Sequence, residues 1–253
     1  MPCTRLVAVA VGPLLAASGA LAQQTSSNPA PFERVQVTLP LAPSDPSFAA
    51  FRRDLGAVAK GRVFAALARR VVAEGFFWDR DFADGFDPKR SGVENLAAAI
   101  RLERSGGTGW QTLAYFAAEP TATKNTMAPD VLCAPGRPTF DQDAFDRLLD
   151  ATRSGAAEWA FARAEQTALR EEPRMASPVV ETLGTYFVRV LAVDAAADDG
   201  EPLRTFWARV AAPSGKVGYA APDTLMSPGA PQLCYRKDIT GRWRIAGFVG
   251  GIP

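Results

Sequence analysis

Apolar residues recur along the first part of the chain at three- and four-residue spacing. Phe48, Phe51, Leu55 and Val58 form one such stripe beyond Pro46, with Ser44 or Asp45 placed to cap a helix. Gly61 interrupts the stripe, and Val63, Phe64, Leu67, Val71 and Val72 continue its period as a second helix or a bent extension. Two further helices fit Val93 to Leu102, closed by Ser105-Gly106-Gly107, and Asp143 to Thr152, where Phe145, Leu148 and Leu149 share a face. Beyond about Arg170 the period shortens. Val179–Leu183, Tyr186–Val193, Arg204–Ala211, Gly218–Ala221, Leu233–Lys237 and Arg242–Val249 are β-rich runs, separated by Asp199-Gly200, Pro213-Ser214-Gly215 and Thr240-Gly241. Such runs, at about 8–12-residue spacing, predict a small all-β barrel or sandwich. The pattern thus predicts an α+β protein with a mainly helical domain over residues 46–169 and a β-barrel domain over 170–253. Residues 23–45 read as a flexible leader with one short strand at Val35–Leu39.

The N-terminus adds a compartment. Arg5 precedes an apolar run from Leu6 to Ala17, and Ala20-Leu21-Ala22 supplies small residues before Gln23. That is the layout of a signal peptide over residues 1–22, cleaved after Ala22. A membrane span needs roughly 20 apolar residues, so the expectation is a periplasmic or secreted protein with no membrane span. Cys3 leaves with the signal. Cys133 and Cys234 remain, and an oxidising compartment predicts a disulfide between them. Closing a loop of about 100 residues would stabilise the fold by roughly 4–5 kcal/mol. The alternative is two separate buried thiols.

Charge and histidine content narrow the chemistry. The chain has 28 Lys+Arg against 27 Asp+Glu, and one of the bases, Arg5, lies in the signal. A balanced remainder offers no electrostatic case for nucleic acid. There is no histidine, which excludes Ser-His-Asp and Cys-His catalysis and His-containing metal sites. Gly106-Gly107-Thr108-Gly109 lacks the lysine of a phosphate loop and reads as a turn. No cofactor, metal or catalytic residue is expected.

Pro178-Val179-Val180-Glu181-Thr182-Leu183, Val188-Arg189-Val190-Leu191, Trp207-Ala208-Arg209-Val210 and Gly218-Tyr219-Ala220 together resemble the bacterial SH3-like (SH3b) domain. The sequence departs from that family at Ala220, where Val or Ile is usual, and in the acidic insert Asp198 to Glu201. The wider layout, with an ending of the form Asp-x-x-Gly-Arg-Trp-Arg over Asp238–Arg244, resembles a group of uncharacterised secreted proteobacterial proteins. The resemblance implies a small SH3-like all-β barrel that engages peptidoglycan or an exported protein partner.

Candidate binding residues are therefore the barrel aromatics Tyr186, Trp207, Tyr219, Tyr235 and Trp243. Trp207 and Trp243 lie in alternating runs with apolar partners, as core residues do, whereas Tyr219 and Tyr235 sit near turns and are expected at the surface. The other candidate is the acidic segment Asp79, Asp81, Asp84 and Asp87. As an EF-hand it fails, because the sixth and twelfth positions from Asp79 hold Asp84 and Arg90. A carboxylate-based cell-wall hydrolase using Asp79–Asp87 is the alternative function. The simpler reading is a polar loop whose acids pair with Arg80, Lys89 and Arg90.

Overall fold

The computed structural model describes residues 29–102, 108–126, 128–195 and 206–250. The expected signal segment 1–22, helix stop at Ser105–Gly107, turn at Asp199-Gly200 and insert Asp198–Glu201 lie outside these residues.

Strand β1 (Val37–Thr38) precedes α1 (Pro46–Gly61) and the short α2 (Phe64–Ala68). Strand β2 (Phe77–Asp79) leads to α3 (Gly92–Ala99) and α4 (Thr108–Ala118), then to β3 (Thr123–Lys124), β4 (Leu132–Ala134) and β5 (Thr139–Phe140). After α5 (Gln142–Thr152) come β6 (Trp159–Ala162), β7 (Thr167–Arg170), β8 (Val179–Leu183), β9 (Phe187–Ala195) and β10 (Phe206–Ala211). The last strands are β11 (Val217–Ala220), β12 (Leu225–Met226), β13 (Gln232–Lys237) and β14 (Trp243–Val249).

Local chemistry accounts for the helix ends. The Asp45 carboxylate accepts from the Ser47 amide at 2.8 Å, and Pro46 occupies the first turn, where its missing N–H costs nothing. Arg62 closes α1 in the left-handed region at φ 52°. Ser91 and Glu94 cap α3 reciprocally, and Asp141 caps α5. Helix α4, which the sequence pattern does not announce, begins in the stretch read as a turn. Gly109 is required there because a Cβ would lie 2.4 Å from the Leu102 Cα.

The strands form three sheets. A five-stranded sheet runs β2-β14-β13-β4-β3, a seven-stranded sheet runs β12-β6-β9-β10-β11-β7-β8, and β1 pairs with β5 alone. In the seven-stranded sheet every pairing is antiparallel, and its terminal strands β12 and β8 do not pair with each other. Trp159, Phe161 and Phe187 pack with Phe145 and Leu148 of α5 on one face. Ala160, Ala162, Val188, Leu169 and Val210 form a separate cluster, as alternation along a strand requires.

The expectation of a helical front half followed by a small SH3-like barrel is corrected here. Among the described residues the fold is mostly β, with five helices and no closed barrel. The missed strands β2 to β7 and β12 have two to four residues each, too few for a period-2 signal. The last two strands also join a different sheet from β8–β11. Strand β13 pairs with β4, and β14 pairs in parallel with β2, so residues 232–249 complete a sheet begun before residue 135. Helices α1 to α4 cover that sheet: Phe48, Leu55, Leu96 and Leu113 pack with Tyr235, Ile245 and Phe248.

Two contacts lock this arrangement. Cys133 and Cys234 face each other across β4 and β13 and form a disulfide, both sulfurs being buried. Glu119, just beyond α4, is 2% exposed and accepts from Arg163, just beyond β6, at 2.5 Å. It also accepts from the Thr121 hydroxyl at 2.8 Å, so its charge is neutralised and hydrogen-bonded.

Candidate functional site

The turn that joins β13 to β14 is built by one side chain. The Asp238 carboxylate accepts from the Thr240 hydroxyl at 2.6 Å, the Thr240 amide at 2.8 Å and the Arg242 amide at 3.0 Å. Gly241 takes the φ of 76° that completes the reversal. The Thr240 hydroxyl is the main cause of Asp238 titrating at about 2, below the usual carboxylate range, with the Arg242 and Thr240 amides and the Arg244 charge adding to it. Strand alternation then places Arg242 and Arg244 on one face and Trp243 on the other. Trp243 turns inward against Phe48, ring centroids 4.8 Å apart, and its indole N–H donates to the Ser47 hydroxyl at 3.0 Å.

Across from this turn stand α1 and the segment after α2. Between them lies a groove of about 510 Å³, bordered by Phe51 and Asp54 of α1, by Arg69 and Arg70, and by Arg242 to Arg244. A second depression of about 560 Å³ shares Arg69, Arg242 and Arg244 and is floored by Val71 and Val72. Four arginines thus meet two aspartates, leaving a positive excess. Arg70 grips Asp54 with both Nε (2.6 Å) and Nη2 (2.9 Å), and this bidentate bond holds the Asp54 carboxyl below its ordinary value. Arg244 donates to Asp238 at 3.1 Å and to the Arg69 carbonyl, so its guanidinium is also committed.

The five predicted aromatics do not form one strip. Tyr186, beside β9, is buried under the Arg34 guanidinium, 4.6 Å from the ring centroid. Trp207 on β10 is 4% exposed, and Tyr219 on β11 is half-buried between Arg209 and Arg170 of its neighbours. These three belong with the seven-stranded sheet. Tyr235 and Trp243 belong to the five-stranded one. Tyr235, expected at the surface, is fully buried against Phe48 and Phe51, and its hydroxyl has no hydrogen-bond partner among the described residues. Burial pushes that hydroxyl's pKa far up. Trp243 borders the groove. Tyr235 reads as a surface residue in the sequence because nothing local shows that helix α1 lands on it.

Three of the four acids are engaged locally, while Asp84 is exposed with no hydrogen-bond or ion-pair partner among the described residues. Asp79 accepts from the Arg80 amide at 2.8 Å, Asp81 lies 3.4 Å from Arg80, and Asp87 accepts from the Lys89 amide at 2.9 Å with Arg90 at 3.6 Å. Among the described residues no three acids, cysteines or histidines gather in a way that could hold a metal. Arg80 instead crosses to the Gly229 carbonyl at 2.9 Å, and the Trp78 indole donates to the Gly250 carbonyl at 2.8 Å, so this segment buttresses the end of β14.

Arg69, Arg70 and Asp54 are not conspicuous in the sequence, because they come from separate helical segments. The Arg-Trp-Arg alternation over 242–244 is the one signal there that points to the groove: two cations two residues apart, flanking an inward aromatic, immediately after a tight turn. Comparison with protein-family models, curated proteins and solved structures finds no match for this chain. No helix among the described residues is long and apolar enough to cross a membrane.

Proposed function

We propose that the protein is exported and acts in the cell envelope as a non-catalytic binding protein, holding peptidoglycan in the groove between α1–α2 and the β13–β14 turn. The groove itself carries this reading. It is concave, has the volume of a small-ligand site, and combines an aromatic and aliphatic border with a few charged groups. A groove of this size suits a short wall peptide better than a folded protein, whose specific interfaces bury about 1,600 Å² in total. The signal-like N-terminus and the buried Cys133–Cys234 disulfide support an oxidising, extracytoplasmic setting.

Retention on purified sacculi tests the proposal. The disulfide-bonded protein is expected to sediment with sacculi, and Phe51→Ala combined with Trp243→Leu is expected to reduce retention while circular dichroism confirms the fold. Wild-type protein left in the supernatant, or turnover of sacculi in a zymogram that persists after re-purification, would overturn it.

A further inference from the structure

We infer that the groove selects free carboxylates on an acidic peptide, and that Arg69 and Arg242 are the residues that read them. The inference rests on the binding role proposed above and names the chemistry that role uses. Of the four arginines, two are spoken for: Arg70 by Asp54 and Arg244 by Asp238 and a backbone carbonyl. Arg69 is different. Its side chain is exposed and has no hydrogen-bond or ion-pair partner among the described residues, yet it lines both depressions. Arg242 donates to the Thr240 hydroxyl at 2.9 Å, stands 3.9 Å from Asp238, and leaves its side chain 70% exposed. It too lines both depressions.

Two cations with uncommitted donors therefore line both depressions, beside the paired Arg70 and Arg244. A guanidinium presents parallel N–H groups that match a carboxylate bidentately. Asp54 is paired with Arg70, and Asp238 lies closer to Arg244 than to Arg242, so four arginines against two aspartates leave a positive excess. The apolar border of Ala50 and Phe51 accommodates the methyl and methylene groups of a short peptide. A peptide carrying two acid groups within a few residues fills this description.

The test is calorimetric titration of the disulfide-bonded protein with acetyl-Ala-Glu-Glu and with its amide counterpart, acetyl-Ala-Gln-Gln-amide. The acid peptide is expected to bind and the amide peptide to bind far more weakly, with affinity falling as salt rises. Arg69→Gln and Arg242→Gln should each weaken the acid peptide about tenfold, the ratio expected for losing a hydrogen bond to a charged group. Arg209→Gln, on the seven-stranded sheet, should not change it. Equal affinity for the two peptides, unchanged binding in both groove variants, or tighter binding of inorganic phosphate than of the acid peptide would overturn the inference. Sacculus retention separates the two claims. Wild-type retention that survives the Arg69→Gln/Arg242→Gln double variant removes carboxylate reading and leaves wall binding intact. Acid-peptide binding without sacculus retention removes the wall as the source and keeps the carboxylate site.

Discussion

The two large sheets are assembled in opposite ways. The seven-stranded sheet comes from one continuous stretch, residues 159–226, and neighbours such as β7–β8, β9–β10 and β10–β11 are also neighbours in sequence. The five-stranded sheet is stitched from distant pieces: β2, β3 and β4 wait for β13 and β14, with Cys133 meeting Cys234 across 101 residues. Hairpins lose little chain entropy on closing, whereas remote strands must close a long loop before any pairing stabilises them. A covalent bond is found in the sheet that needs it more. The groove also belongs to the stitched sheet, since only long-range closure brings α1, the α2 segment and a C-terminal turn together.

The sharpest way to break this comparison is to remove the bridge. Cys133→Ala with Cys234→Ala should cost about 4–5 kcal/mol of unfolding free energy in urea, as expected for a loop of this length. Hydrogen exchange should show the amides of β4, β13 and β14 losing protection well before those of β9, β10 and β11. Uniform loss across both sheets would mean that they unfold as one unit and that the contrast is only topological.

Next in size is the clasp between the regions. Arg163→Ala leaves the Glu119 carboxylate buried without its cation, which should destabilise the protein by about 3 kcal/mol. Glu119→Gln, which removes the charge but keeps the Thr121 contacts, should cost less. A loss below about 1 kcal/mol for Arg163→Ala would place the pair among weakly contributing surface bridges and leave the sheets independent of it.

A smaller effect of opposite sign is expected within the five-stranded sheet's core. Tyr235→Phe deletes a buried hydroxyl that has no partner among the described residues, and thermal melts should show a gain of about 1 kcal/mol. A loss would mean that the hydroxyl is satisfied in solution, for instance by an internal water.

The smallest effect concerns the groove's turn. Asp238 titrates lower in the fold, at about 2, than its ordinary 3.8. A depressed carboxylate contributes stability above its unfolded pKa and loses it as pH falls through the folded one. The stability contribution is therefore complete above about pH 4, and the Thr240 and Arg242 amide resonances of the folded protein should move with a midpoint near pH 2. Asp238→Asn should remove that titration. Movement centred near pH 4 would show that the turn does not hold the carboxylate.

Legibility from sequence follows the same division. The runs at Val179–Leu183, Leu233–Lys237 and Arg242–Val249 coincide closely with β8, β13 and β14, and the helix starts at Pro46 as read, with Asp45 and not Ser44 as its cap. These rest on local period and capping chemistry. Strands such as Leu132–Ala134 and Trp159–Ala162 escape because they are short and buried on both faces, so nothing alternates. Helix α4 escapes because Gly109 suggests a turn, although glycine is there for close approach to Leu102. Of the groove, the Arg242–Arg244 pattern could be seen; its partners Asp54, Arg69 and Arg70 could not, because no sequence period connects residues drawn from separate elements.

What the amino-acid order determined by itself was the longer local elements, such as α1, β8, β13 and β14, and the lack of imidazole chemistry, since each depends on near neighbours or on composition alone. Tertiary structure decided which sheet each strand joins, that Tyr235 is interior, and that Arg69 and Arg242 border one groove. Those outcomes depend on which distant surfaces exclude water together, and hydrophobic burial has no direction along the chain.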